Sequence, residues 1–217
     1  MSLFITLEGI DCSGKTTVTR QIAQHLTNNN IEHVVTREPG GTIIAEQLRS
    51  MLLDINNKID RDTELMMFMT ARCNHINNLI KPALADNKVV ICDRYIDSSL
   101  VYQSKNIAHM HTINMLFEQY EWSLIPHYTL YLKVSKEVTL QRMSGRNQST
   151  DRMEEQLLSH LDSSIEKFNV LSEMKHFLVI DANQDIDSVT QQALMTIESI
   201  IALDREIKEI NSEQSKL

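Results

Sequence analysis

Residues 9–16 read Gly-Ile-Asp-Cys-Ser-Gly-Lys-Thr and satisfy the pattern G-x-x-x-x-G-K-[ST] in full. Residues 3–7 before them are the apolar run Leu-Phe-Ile-Thr-Leu, and from Lys15 to about Leu26 the apolar residues recur at helical spacing. Strand, glycine-framed loop and helix is the context that the pattern requires. In such a turn the backbone N–H groups from about Asp11 to Thr16 converge at a helix N-terminus. The aligned peptide dipoles there favour negative charge, so the loop cradles a phosphate. Lys15 is placed to bridge the β- and γ-phosphates, and the Thr16 hydroxyl is a Mg²⁺ ligand candidate. The candidate ATP contacts of this loop are Gly9, Ile10, Asp11, Cys12, Ser13, Gly14, Lys15, Thr16 and Thr17. Glycine is otherwise scarce, with five in 217 residues. Two frame this loop, and Gly40-Gly41 lie together in a second one.

Working outward, four more short apolar or β-branched runs follow at residues 33–36, 89–92, 129–134 and 177–180. Each leads into a polar turn and then a helical pattern. This alternation predicts an α/β fold, a five-stranded parallel sheet flanked by helices. Unbroken runs such as Val89-Val90-Ile91-Cys92 suit strands buried on both faces. Ligands of such sheets bind at the carboxyl ends of the strands, so the polar residues that close the runs are the ones to read. They are Glu8 to Thr16, Arg37-Glu38 and Asp93-Arg94. No internal repeat or linker interrupts the chain, so one domain is expected over residues 1–217, with a polar helical extension over about 204–217.

Composition narrows the possibilities. The formal net charge is −8, which argues against a nucleic-acid polymer as partner while leaving room for a local basic site. The three cysteines form no CxxC pair and the eight histidines no metal-binding pattern. Reduced thiols, no signal segment and no apolar run of membrane-spanning length lead to the expectation of a cytoplasmic protein.

Two further motifs carry chemistry. Thr36-Arg37-Glu38-Pro39-Gly40-Gly41-Thr42 closes the second run, and Arg37 would project from the strand end toward the phosphate loop. Asp93-Arg94-Tyr95 closes the third. An Asp after four apolar residues can hold Mg²⁺, directly or through water, and the adjacent Arg94 can grip a phosphate with two parallel hydrogen bonds. Thr16 and Asp93 are therefore the candidate metal ligands.

Together with Glu46, Leu48-Arg49, Ser98 and Tyr102-Gln103, these motifs resemble the thymidylate kinase family of bacterial type. The resemblance covers essentially the whole chain and is densest at residues 7–17, 36–53, 63–72, 81–103 and 151–154. It implies the fold of the P-loop nucleoside monophosphate kinases with a short lid, and phosphoryl transfer from Mg-ATP to dTMP. Phe68 and Arg72, four apart on one helix face, match positions that stack on thymine and hydrogen-bond its carbonyl edge. Ser98 and Gln103 match contacts to base or sugar. Tyr102 matches the ring under the sugar that leaves no room for a 2′-hydroxyl. Asp11 matches an acidic residue near the acceptor's 3′-hydroxyl, and Arg37 and Arg94 match the holders of the acceptor phosphate.

The basic stretch at about 142–152 resembles the lid that closes over ATP. The loop positions Asp11, Cys12 and Ser13 are not basic, so the transition-state charge is expected to be met from the lid. Arg146 is the first candidate, followed by Arg142 and Arg152. Lys15 and Arg94 complete the predicted catalytic set. The family is usually a homodimer packed through long helices, and Leu65, Phe68, Met69, Ile76, Leu79 and Ile80 on the helix over about 61–85 offer an apolar surface, some of which must serve the domain's own core; the sequence does not divide core from interface. Two departures stand out. Relatives continue Tyr-Gln with a glycine-rich, Arg-containing run, where this chain has Ser104-Lys105-Asn106. They also carry an aromatic soon after Asp-Arg-x-Glu, where this chain has Glu155, Gln156 and Leu157. A kinase of another deoxynucleotide, dUMP or dGMP, and a nucleotide-dependent switch NTPase are the competing readings.

Overall fold

A computed structural model of the chain describes residues 2–145 and 152–214. The apolar runs become five strands: β1 (Leu3–Glu8), β2 (His33–Arg37), β3 (Val89–Asp93), β4 (Tyr128–Lys133) and β5 (Phe177–Asp181). They form one parallel sheet in the order β2-β3-β1-β4-β5. Every residue of the central β1 is buried, because helices cover both faces; this is why its sequence does not alternate. At the edge, β2 leaves Val35 exposed. Since all strands point one way, Glu8, Arg37, Asp93, Lys133 and Asp181 end on the same edge of the sheet.

The helices are α1 (Lys15–Asn28), α2 (Ile43–Leu53), α3 (Arg61–His75), α4 (Lys81–Ala85), α5 (Ile96–Tyr102), α6 (Ile107–Glu118), α7 (Lys136–Ser144), α8 (Arg152–Leu171) and α9 (Ile186–Gln214). Val18, Ile22 and Leu26 of α1 recur every fourth residue and are fully buried, which seats the helix on the sheet and aims its N-terminus at the strand ends. The first half of α9 buries Val189, Ala193 and Ile197 and packs along α1. The expected C-terminal extension is helical through Gln214.

The helix anticipated over residues 61–85 is not uniform. Between α3 and α4 the chain widens into one π turn, Ile76–Ile80, in which Lys81 N–H donates to Ile76 O. Pro82 supplies the reason. It lacks an N–H and its ring crowds the carbonyl four residues back, so an α-helix tolerates it only in a first turn; the π turn lets α4 begin anew there. The structure divides the apolar surface of this helix in favour of the core. Leu65, Phe68, Met69, Ile76 and Ile80 are all buried within the protomer, and Leu79 packs against the same core. The domain's own sheet and neighbouring helices take up that face, except where Phe68 borders a cleft.

Candidate active site

The phosphate loop joins β1 to α1. Gly9 sits at φ 145°, and a Cβ there would lie 2.8 Å from Leu132 O and 2.9 Å from Ser13 Oγ, so only glycine fits. Gly14 is left-handed and forms the N-cap of α1. Lys15 is buried, and its Nζ donates to Gly9 O and Ile10 O, both at 2.9 Å. Burial, then the like charge of Arg94, pulls its ammonium down to about 8. The ammonium that attracts phosphate is therefore lost from the free protein as pH rises through about 8. Because kcat/KM reports groups of the free enzyme, kcat/KM for ATP is expected to fall above that pH. The value of kcat is expected to hold to higher pH, since bound phosphates favour the charged form. A pH–rate profile checks this.

Asp93 ends β3 across from the loop. Thr16 Oγ1 donates to Asp93 Oδ2 at 3.4 Å, and Asp93 Oδ1 is buried with no partner among the described residues. An orphaned carboxylate oxygen beside a hydroxyl, both next to a phosphate loop, fits a Mg²⁺ that takes its remaining ligands from phosphates and water. No cluster of three or more His, Cys, Asp or Glu is present among the described residues.

Arg94 follows in a left-handed conformation, φ 69°. Its Nη2 donates to Asp11 Oδ1, and its Nη1 reaches Gly9 O and Ser98 Oγ, both at 3.2 Å. The guanidinium also lies over the Tyr102 ring, 5.4 Å from its centroid. Burial opposes this charge, but Asp11, Tyr102, Asp93 and Glu8 more than offset it and hold Arg94 above the usual arginine range.

The other end of the site is built by α3 and α5. Arg72, almost wholly buried, donates from Nε to Glu38 Oε2 at 2.7 Å and from Nη2 to Tyr95 O at 2.9 Å and Ser99 Oγ at 3.0 Å. Glu38 also lies 3.0 Å from His75 Nδ1, and His75 Nε2 lies 2.8 Å from Thr36 Oγ1. Gly41 is required here, because a Cβ would come within 2.6 Å of His75 Nε2. The Glu-Pro-Gly-Gly turn thus supports Arg72 from behind. Gln103, also buried, donates from Nε2 to Glu64 Oε1 at 2.9 Å.

One cleft of about 640 Å³ brings these parts together. Asp11, Cys12, Gly14, Lys15, Thr16 and Thr17 line it from the loop, Arg37, Phe68, Arg72, Asp93 and Arg94 from the strand ends and α3, and Ser98, Tyr102, Gln103 and Arg142 from the remaining sides. Gly9, Ile10 and Ser13 lie beneath the loop rather than on the cleft wall, and all three are buried. Arg37 lines the cleft but is half exposed and paired with Glu46 at 2.9 Å. Arg142 is held at the loop, donating to Cys12 O at 3.2 Å and Gln184 O at 2.9 Å. Arg146 lies outside the described residues.

Arg152 is not brought to the cleft. It is buried and bound to Leu52 O at 2.8 Å and Glu64 Oε2 at 2.6 Å. Removing one member of a buried ion pair leaves the other uncompensated, so Arg152→Ala is expected to lower stability by about 3–5 kcal/mol, read by denaturant unfolding. The sequence marked Glu8 and Glu38 only as polar ends of their strands and Arg49 only as part of a motif, and gave Glu64 no role; the partners of these carboxylates, Ser98, Arg72 and Arg152, emerge only in the structure. Glu8 had one visible signal, a carboxylate closing an otherwise apolar strand immediately before the loop.

A phosphate loop at the carboxyl edge of a parallel sheet, sharing one cleft with a second set of arginines and with Phe68 and Gln103, defines a P-loop protein of the nucleoside monophosphate kinase class. The family model described as thymidylate kinase matches residues 7–193. A thymidylate kinase from Symbiobacterium thermophilum is 38% identical over 205 residues, 93% of this chain and 95% of the relative. One from Clostridium novyi is 38% identical over 87% of this chain and 95% of its own length. A third, from Ligilactobacillus salivarius, is 35% identical over 91% of this chain and 98% of its own. The chain belongs to the thymidylate kinase family, whose members are ATP-dependent nucleoside monophosphate kinases.

Proposed function

We propose that the cleft transfers the γ-phosphoryl group of ATP to dTMP, giving ADP and dTDP. The observation that carries this reading is the meeting of Lys15 and Arg94 in one cleft whose far end holds Phe68, Arg72 and Gln103. Lys15 and the loop N–H groups hold the donor phosphates, while Arg94, aided by Arg37, holds the acceptor phosphate. The two anions are thus brought together against their mutual repulsion. The acceptor oxygen is already anionic, so no strong base is needed, and catalysis is positioning plus charge stabilisation.

Asp11 restrains Arg94 by direct contact. Arg142 at the loop and Arg146 are the lid candidates for the charge that develops on the moving phosphoryl group. Thr16 and Asp93 would hold Mg²⁺, which when bound supplies charge neutralisation of the ATP phosphates.

Specificity rests at the far end. Phe68 offers its face to the base. Among the described residues Arg72 Nη1 donates only to the weak acceptor Met69 Sδ at 3.5 Å, so exchanging that contact for a thymine carbonyl costs little. Tyr102, packed edge-on against Phe168 with centroids 6.2 Å apart, forms a fixed wall for the sugar. The test is an ADP-release assay with Mg-ATP and dTMP, dUMP, dGMP, the ribose analogue of dTMP, or no acceptor. Strong dTMP dependence with a poor ribose analogue is expected. Equal ADP release without acceptor would overturn the reading.

The protein is also proposed to act as a homodimer. On α2, Ile43 is 82% exposed, and Ile44, Met51 and the neighbouring Met66 of α3 are at least half exposed. Apolar side chains gathered on adjoining helices suit a second copy of the same surface. Sedimentation equilibrium is expected to give a dimer that Ile44→Glu with Met51→Glu converts to monomer; an unchanged mass for the double variant would exclude this face. No helix among the described residues is long and apolar enough to cross a membrane.

A further inference from the structure

Helix α5 has seven residues, too few to hold together in isolation. Yet it carries Ser98 and Tyr102 and is flanked by Arg94 and Gln103. Its N-cap residue, Tyr95, makes no side-chain capping bond. Both ends are held instead by buried charged side chains from distant parts of the chain. At the N-terminus the fully buried Glu8 accepts from Tyr95 N–H at 2.7 Å and Ser98 N–H at 3.2 Å through Oε1, and from Ser98 Oγ at 2.6 Å through Oε2. At the C-terminus the buried Lys167 of α8 donates to Val101 O at 2.9 Å and Ser104 O at 2.8 Å. An acceptor at the N-terminal end and a donor at the C-terminal end satisfy the backbone groups that a helix leaves unpaired at its ends.

We propose that Glu8 and Lys167 are positioning residues that clamp α5 between the end of β1 and helix α8, and so set the acceptor site. The clamp also fixes Arg94. Arg94 N–H donates to Leu7 O at 3.0 Å and the next N–H goes to Glu8, so the left-handed turn is pinned on both sides. Helix α8 grips the C-terminal end of α5 at a second point: Arg152 binds Glu64 Oε2, and Glu64 Oε1 accepts from Gln103. Among the described residues Lys167 Nζ hydrogen-bonds to Val101 O and Ser104 O, at the acceptor end, so its loss is expected to act there. This inference rests on the reading that Arg94, Ser98, Tyr102 and Gln103 hold the acceptor.

The experiment compares Lys167→Met with Arg94→Ala in the full chain, measuring KM for dTMP, KM for ATP and the melting temperature. Lys167→Met keeps the aliphatic stem and removes the donors. It is expected to raise the dTMP KM about 10-fold or more, a change of about 1.4 kcal/mol, while the ATP KM stays within about 2-fold. Should it fail to fold, Lys167→Gln, which keeps an N–H donor on a shorter stem, is expected to give the same one-sided shift. Glu8→Gln combined with Lys167→Met is expected to be non-additive, as for two residues acting on one element. A lower melting temperature with both KM values unchanged, or both KM values rising together, would make Lys167 a purely structural residue and overturn the clamp. An unchanged dTMP KM in Arg94→Ala would overturn the acceptor-site reading, and the clamp with it. A raised dTMP KM in Arg94→Ala with a normal one in Lys167→Met would overturn the clamp alone.

Discussion

Arg94→Ala is expected to lower kcat/KM for dTMP by about 100-fold or more, the loss of a few kcal/mol of charge stabilisation. Arg94 is tied to Asp11, Gly9 O, Ser98 and the Tyr102 ring, so its guanidinium is already oriented before any anion arrives. Its truncation removes that preorganised fork and leaves Asp11 facing the acceptor phosphate with like charge. Both kcat and the acceptor KM are expected to suffer, with the ATP KM little changed because the phosphate loop is intact. Arg94→Lys is expected to recover little, since a point charge on a flexible stem does not reproduce the two parallel N–H bonds. Steady-state kinetics with each substrate varied in turn decide this; near-normal turnover in a folded Arg94→Ala protein would remove Arg94 from the mechanism.

Lys15→Ala is expected to cut kcat by about 100-fold or more without destabilising the fold. The two effects separate because of where the ammonium sits. Burial lowers its pKa to about 8 from 10.5, so the folded state disfavours the charged form relative to the unfolded chain. That cost is fully present below about pH 8 and disappears as pH rises past the ordinary lysine value. At pH 7 the alanine variant therefore sheds a cost to stability while losing the charge that meets the phosphates. A melting temperature equal to or above that of the parent protein, together with collapsed turnover, is the expected pair of results. A large drop in melting temperature would show that Lys15 serves the fold, through its bonds to Gly9 O and Ile10 O, more than the reaction.

All five strands lie within a residue or two of their expected positions, because an apolar β-branched run long enough to be buried on both faces has few other places to go. The phosphate loop was equally legible, since its glycines and lysine act through local backbone geometry. The buried charges were not. Glu8 meets Ser98, Glu38 meets Arg72 and Glu64 meets Arg152 across long stretches of chain, and no periodicity records which charge will find which. The helix face over residues 61–85 stayed open for a related reason: amphipathic spacing says that a face is apolar, not whether the protomer's own core or a second subunit covers it.

The sequence by itself determined the sheet, the loop and the chemical class, because those follow from local pattern and from residue types with few alternative uses. Only the tertiary structure decided that Arg152 serves Glu64 rather than the cleft, that Glu38 and His75 support Arg72, and that the two ends of α5 are held by Glu8 and Lys167. A buried charge is tolerated only where its partners are met, and those meetings exist only once the chain has closed on itself.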